Sequence, residues 1–262
     1  MSEPIYTMGI DVGSAASKCV IMSDAKTIVG CTLMPSGAGT SGPGLARESA
    51  LKEAELKEND LSFIMATGYG RNNEVADSEM SELTCHAKGA VFLLEGVRTV
   101  IDIGGQDLKV LNIDENGILS NFVMNEKCAA GTGRFLEVMA RVLDVKLEDM
   151  GSLSEKSTER VDISSTCTVF AESEVISQLA QNKEIPDILA GIHRSVASRV
   201  AGIARRIGID APLMLTGGVS QNKGVRLALE EELEEKVYVD AFSPFAGAIG
   251  AAILGYKKLY KG

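Results

Sequence analysis

The chain has 262 residues, with 26 Lys+Arg against 36 Asp+Glu, a formal net charge of −10, and 45% hydrophobic and 24% charged residues. That length holds one large or two small domains, and the composition is that of a globular chain rather than a disordered one. The acidic balance excludes a general binder of nucleic acid or anionic membrane, which needs a basic face. The longest uncharged apolar stretch, residues 241–256, is broken by Gly247, Gly250 and Gly255 and falls short of the about 20 apolar residues of a membrane span. No basic segment followed by an apolar core opens the sequence, so no secretory signal is expected. Five cysteines, an odd number, argue against a disulfide framework. These features read as a soluble, acidic protein of the cytoplasm.

In chain order, Ile10-Asp11-Val12-Gly13-Ser14 leads to Lys18 and an apolar run ending at Met22, then a turn at 23–26 and a strand-like run at 27–34. A helical pattern follows at 44–57, a strand at 62–67 ending in Gly68-Tyr69-Gly70, and a helix at 81–94. The opening then recurs. Ile101-Asp102-Ile103-Gly104-Gly105 leads to Lys109 and an apolar run ending at Ile113, a turn at 114–117, a strand-like run at 118–124 and a helix at 133–143. The offset is 91 residues without a gap, from Asp11 to Asp102, Gly13 to Gly104 and Lys18 to Lys109. A shared register with the same meander behind it reads as a duplication.

Farther on, 170–181 and 187–207 show the three- and four-residue apolar spacing of amphipathic helices. Residues 213–216 read as a short buried strand turning through Gly217-Gly218 into a helix at 221–235, whose acidic run 230–235 reads as a solvated face. A strand at 237–239 and an apolar helix at 245–259 close the chain. The expected class is α/β. Two domains are expected, 1–96 with the closing helix 244–262, and 97–243. No linker separates them, so a shared cleft is expected.

An Asp at the end of a buried strand, followed by Gly and small residues, lets a phosphate approach backbone N–H groups while the carboxylate holds a metal-bound water. Two such loops suit a polyphosphate, and Leu215-Thr216-Gly217-Gly218-Val219-Ser220-Gln221-Asn222 would admit a flat nucleoside. A G-x-G-x-x-G string also occurs at 37–42, but the next strand ends in Ala66-Thr67-Gly68 without the acidic residue a dinucleotide fold requires.

Cys19 and Cys31 lie in apolar strand runs and read as core thiols, and Cys85 beside His86 carries no signal. Cys128, in Asn125-Glu126-Lys127-Cys128-Ala129-Ala130-Gly131-Thr132-Gly133, and Cys167, in Ser164-Ser165-Thr166-Cys167-Thr168, each precede a helix. There the helix dipole and free N–H groups favour a thiolate. Their spacing is wrong for a zinc site. Two readings stay open: a redox dithiol pair, or half of a four-cysteine iron–sulfur site completed by a two-fold copy of the chain. His86 and His193 read as structural.

The three glycine segments together resemble the actin, Hsp70 and sugar-kinase ATPase superfamily, with residues 11–18 and 102–109 matching its two phosphate motifs and 215–222 its adenosine motif. That resemblance runs the length of the chain and implies two ribonuclease-H-like domains closing on Mg-ATP in an inter-domain nucleotide cleft. The strings around Cys128 and Cys167 closely resemble the activator components of 2-hydroxyacyl-CoA dehydratases, which are related to the ATPase subunits of benzoyl-CoA reductase. In that family the equivalent cysteines hold one [4Fe–4S] cluster across a homodimer.

The resemblance implies an ATPase that passes single electrons from ferredoxin or flavodoxin to the dehydratase, with no nucleic-acid or membrane partner. Under it Asp11 and Asp102 would hold Mg²⁺ and its waters. Gly13, Ser14, Ala15, Ala16 and Ser17 would line the ATP or ADP phosphates together with Gly104, Gly105 and Gln106. Lys18 is a candidate phosphate partner, with a surface strand lysine as the equal alternative. Gln106, or Asp102 through water, would orient the attacking water, and Gly217, Gly218, Gln221 and Asn222 would approach the nucleoside. Three other readings are a benzoyl-CoA-reductase-type ATPase subunit, a nucleotide-binding redox sensor and a small-molecule kinase of the same superfamily. A kinase has no use for Cys128 and Cys167, and this length leaves little room for substrate-binding insertions.

Overall fold

A computed structural model describes residues 3–126, 128–164 and 167–260. Strands β1 (Tyr6–Val12), β2 (Ser17–Ser23) and β3 (Thr27–Met34) form an antiparallel meander. Helix α1 (Gly42–Glu53) then returns the chain to β4 (Leu61–Thr67), parallel to β1, with the short β5 (Ser78–Glu79) beside it and α2 (Glu82–Leu93) following. The pattern repeats. Strands β6 (Thr99–Ile103), β7 (Leu108–Ile113) and β8 (Leu119–Asn125) are followed by α3 (Gly133–Val142), α4 (Met150–Ser154), α5 (Thr168–Ala180) and α6 (Ile185–Ala204). Strand β9 (Leu213–Thr216) runs parallel to β6, and after α7 (Lys223–Leu233) β10 (Val237–Tyr238) runs parallel to β9. Helix α8 (Ala246–Lys258) closes the chain.

The two sheets have the same order, β3-β2-β1-β4-β5 and β8-β7-β6-β9-β10. Each is the mixed sheet of a ribonuclease-H-like domain. The contacts divide the chain into two units, one of Met1–Val97, Ile113–Leu119 and Asp240–Gly262, the other of Arg98–Asn112 and Ser120–Val239.

In the first unit the two-residue alternation of the strands feeds two cores. Met8, Ile10, Val12, Cys19 and Ile21 pack against Ala46 and Ala50 of α1. On the other face Val20 and Met22 meet Ala248, Ile249, Ala252 and Ile253 of α8. Gly9 belongs to that second face, where a Cβ would lie 1.9 Å from the Ala248 carbonyl oxygen, so only glycine lets α8 lie this close to β1. The Thr7 hydroxyl donates to Ala252 O at 3.0 Å.

In the second unit Ile101, Ile103, Leu108, Val110, Leu213 and Leu215 supply one face of the sheet to a core filled by α3, α5, α6 and α7. By strand alternation Asp102, Lys109 and Thr216 fall on the opposite face.

Element boundaries differ from the sequence expectation where caps decide them. Helix α1 starts at Gly42 with Pro43 in its first turn, a position where the missing N–H is harmless, and it ends before Glu55, whose φ is +56°. Helix α7 starts only at Lys223, because Asn222 caps it by accepting from Val225 N at 3.1 Å. It ends before Glu234, at φ +54°. The acidic run after it is partly structural rather than simply solvated: Glu230 accepts from Arg226 and from the backbone N–H of Val237, both at 3.1 Å. Helix α4 and strand β5 are too short to leave a periodic trace in the sequence.

Candidate functional site

Asp11, near the end of β1 and 4% exposed, sits opposite Lys18 in the β1–β2 register, with Nζ 3.5 Å from Oδ2. The segment between them folds into a tight loop closed by Gly13 N–H donating to Ala16 O at 3.0 Å, with Ser14 and Ala15 exposed at its tip. Ser17 anchors its far end through a 2.8 Å bond to Ser36 O. Behind the loop lies the G-x-G-x-x-G segment. Ala38 N–H donates to Gly13 O at 2.9 Å, and a Cβ on Gly37 would lie 2.4 Å from Gly13 O. Gly37 and Ala38 thus buttress the loop at Gly13–Ser17. Lys18 is a half-buried partner of Asp11, so the reading as an ordinary surface lysine does not hold.

The same construction recurs at Asp102, which is 1% exposed and opposite Lys109, Nζ to Oδ2 being 3.3 Å. Lys109 also pairs with Asp107, and Thr216 Oγ1 donates to Asp102 Oδ1 at 2.8 Å. Gly104 N–H donates to Asp107 O at 2.9 Å, closing the loop that exposes Gln106. Burying Lys109 with Asp102 is tolerable only because the charges meet one another, the partly exposed Asp107 and a hydroxyl.

The third segment turns sharply at Gly217. Here the glycine has an internal reason: φ is +81°, and a Cβ would lie 2.3 Å from Ile103 O. Exposed Gly218 has open space where its Cβ would be, and of the pair it is the one that leaves room for a ligand. Gln221 is exposed, whereas the Asn222 side-chain oxygen Oδ1 is committed to capping α7. Asp102 thus meets the second and third segments in one unit through Thr216, and Asp11, Lys18 and the first loop are gathered in the other.

The groups around Asp11 carry no motif that would mark them in the sequence. His86, 6% exposed, borders the same spot: a Cβ on Gly247 would lie 2.9 Å from its Nε2 and 3.0 Å from Asp11 Oδ2. Burial pushes the neighbouring Cys85 thiol up to about 12, against a hydrogen bond with Thr67 that lowers it. Burial likewise raises Cys19 well above the ordinary thiol value. His193 is structural, as expected. It is 2% exposed, its Nδ1 lies 3.1 Å from Ser154 Oγ, and burial lowers its pKa to about 4.

Cys128 and Cys167 are each half-buried. Cys167 occupies the N-cap position of α5, as expected of a helix-terminal thiol. Cys128 stands farther from its helix, since α3 is entered through Thr132, whose N–H and hydroxyl both bond Ala129 O. The first amides of α3 are also engaged: Gly133 N–H donates to Gly104 O at 2.9 Å and Arg134 N–H to Gly105 O at 2.8 Å. They are therefore committed to the Gly104–Gly105 backbone. Among the described residues no group of three or more His, Cys, Asp or Glu side chains converges as a metal site. One chain offers two suitable thiols, a donor set that fits half of a four-thiolate cluster. The hard oxygens of Asp11 and Asp102 suit Mg²⁺. No helix among the described residues is long and apolar enough to cross a membrane.

Residues 8–255 match the BadF/BadG/BcrA/BcrD ATPase family. The chain is 58% identical to the (R)-2-hydroxyglutaryl-CoA dehydratase activating ATPase of Acidaminococcus fermentans, covering 98% of this chain and 99% of that one. It is 35% identical to a benzoyl-CoA reductase subunit of Thauera aromatica, over 95% of this chain and 92% of that protein. The solved activator of the 2-hydroxyisocaproyl-CoA dehydratase from Clostridium difficile, with bound ADPNP, superimposes with a TM-score of 0.96 at 48% identity, covering 98% of this chain and 96% of that one. With two ribonuclease-H-like sheets, a paired Asp–Lys glycine loop in each, and this match along nearly its whole length, the chain belongs to the BadF/BadG/BcrA/BcrD ATPase family and is an ATPase.

Proposed function

We propose that this ATPase is the activator of a 2-hydroxyacyl-CoA dehydratase, passing single electrons to it from ferredoxin or flavodoxin in the cytoplasm. One observation carries the reading: the activating ATPase that shares 58% of its residues also matches it end to end, while the benzoyl-CoA reductase subunit stands at 35%. That difference favours the dehydratase activator over a benzoyl-CoA-reductase-type ATPase. The small-molecule kinase reading leaves Cys128 and Cys167 without a purpose.

In this reading Asp11 and Asp102 hold Mg²⁺ and its waters, and the backbone from Gly13 to Ser17 and from Gly104 to Gln106 lines the phosphates. Lys18 shifts its charge between Asp11 and a bound phosphate. Gln106, exposed at its loop tip, orients the attacking water. Gly217, Gly218, Gln221 and the amide nitrogen of Asn222 approach the nucleoside. Cys128 and Cys167 from each of two chains hold one [4Fe–4S] cluster in a homodimer, a group that accepts and donates one electron at a time. Closure of the two domains on ATP moves the N-terminal ends of α3 and α5, and hydrolysis supplies the free energy that the donor lacks.

Anaerobic purification with an iron count, a sizing column and an ATPase assay tests this. Brown protein with one cluster per dimer, and hydrolysis raised by a dehydratase, is expected. A colourless protein that phosphorylates a small molecule would overturn it.

A further inference from the structure

Helix α3 has no side-chain cap. The orphan donors of a helix start must still be satisfied, and two of them are met by the second phosphate loop itself, Gly133 N–H by Gly104 O and Arg134 N–H by Gly105 O. The fit is close. A Cβ on Gly133 would lie 3.2 Å from Gly104 O, 3.3 Å from Gly105 Cα and 3.6 Å from Val219 Cγ2, so one residue touches the second and third glycine segments together. On its other side the same turn is tied to the cysteine: Thr132 bonds Ala129 O twice, and Asn125 Nδ2 donates to Cys128 O at 3.2 Å. The body of α3 is fixed by Phe135, Leu136 and Met139 in the core.

We infer that the paired bonds from Gly133 and Arg134 to the Gly104–Gly105 loop are the element that reports the nucleotide state to Cys128, with Gly133 and Arg134 as positioning residues. The inference rests on the proposed nucleotide role of that loop. Glycines 104 and 105 cannot move toward a phosphate without shifting the two carbonyls that cap α3. With the helix body anchored, the shift falls on its first turn and on the four-residue link to Cys128. The response is therefore local, confined to 128–136, and the rest of α3 stays protected.

Hydrogen exchange of the full chain, with and without Mg and a non-hydrolysable ATP analogue, reads this without reference to electron transfer. In the wild type the analogue should change exchange in 128–136 by about five-fold, the size expected of gaining or losing one hydrogen bond, and leave 137–142 unchanged. Arg134→Pro deletes the donor to Gly105 in the first turn of α3, where no intrahelical hydrogen bond is lost, and should at least halve the response while the analogue still binds. Arg134→Ala keeps the N–H and should behave as wild type. If Arg134→Pro does not fold, Gly133→Ala, which puts a methyl 3.2 Å from Gly104 O, must weaken the response instead. A silent 128–136 segment in the wild type, or an undiminished response in whichever variant folds, overturns the inference. A colourless protein that still shows the response would sink the electron-transfer reading and leave this coupling standing; a brown ATPase with a silent segment does the reverse.

Discussion

Gly217 stands in its sheet where Gly68 stands in the other. Each follows a threonine, Thr216 or Thr67, that lies in parallel register beside the loop aspartate, Asp102 or Asp11. Each has positive φ, +81° and +88°, and each would press a Cβ onto the carbonyl after that aspartate, 2.3 Å from Ile103 O and 2.7 Å from Val12 O. The duplication therefore includes the turn after the fourth strand. One copy leads into the Gly218–Asn222 segment, the other into exposed Tyr69.

Alanine at either glycine combines left-handed backbone strain with overpacking and should cost at least about 2 kcal/mol of stability. Gly218→Ala, with open space around its Cβ, should change stability by less than about 0.5 kcal/mol. Urea unfolding of the three variants checks this. Equal midpoints for Gly217→Ala and Gly218→Ala would contradict it.

Lys109 is the buried counter-charge of Asp102, their side chains being 4% and 2% exposed. Lys109→Met leaves the buried Asp102 carboxylate without it and should cost about 3–5 kcal/mol, part of which Asp102→Asn in the same chain should restore. Thermal unfolding of the single and double variants provides the cycle, and additive losses would deny the coupling. Asp11→Asn and Asp102→Asn should each abolish ATP hydrolysis while iron content stays at the wild-type level.

Stability should depend on pH through His193. Its folded pKa of about 4 lies below the unfolded value of about 6.5, so the folded state resists protonation. The stabilisation is whole above pH 6.5 and fades as pH falls toward 4, by up to about 3 kcal/mol. Chemical unfolding at steps between pH 7 and 4 should show the slope, and His193→Leu should flatten it. An unchanged slope in that variant would assign the effect to other groups.

The cysteines should divide into two classes. Cys128→Ser and Cys167→Ser should each bleach the protein and loosen the dimer, while nucleotide affinity stays near normal. Cys19→Ser, Cys31→Ser and Cys85→Ser should stay brown. In iron-free protein, alkylation followed by mass spectrometry should label Cys128 and Cys167 first and Cys19 and Cys85 last, since burial holds the latter two thiols protonated. Rapid labelling of Cys85 would contradict its burial.

The aspartate–glycine loops are legible in the sequence because the duplication kept their residues in one register, so a repeat of Asp, Gly and Lys points to both. The turn at Gly68 is legible, but its equivalence to the turn at Gly217 is hidden because its surroundings, Tyr69 and Gly70, have diverged from Gly218 and Val219. The buttress at Gly37 and the capping of α3 by Gly104 and Gly105 are contacts to backbone carbonyls, which leave no side-chain signature. Cys128 does precede a helix as its sequence neighbours suggest, but the extra turn through Ala129 and Thr132 depends on backbone geometry that composition does not encode. At Gly217 packing explains the glycine where a nucleoside was the expected reason, since small residues serve both purposes and only coordinates separate them.

The closeness of α8 to β1, where Gly9 faces the Ala248 carbonyl and Thr7 bonds Ala252, sets an order of assembly. During synthesis β1, β2 and β3 emerge first, yet one face of their sheet lacks α8 until the ribosome has also made all of the second unit. That unit, whose core draws on residues from Ile101 to Val237, can condense while the earlier strands still wait. Until residues 246–258 arrive, Val20 and Met22 lack their partners in α8, and that apolar face stays open to a wrong partner.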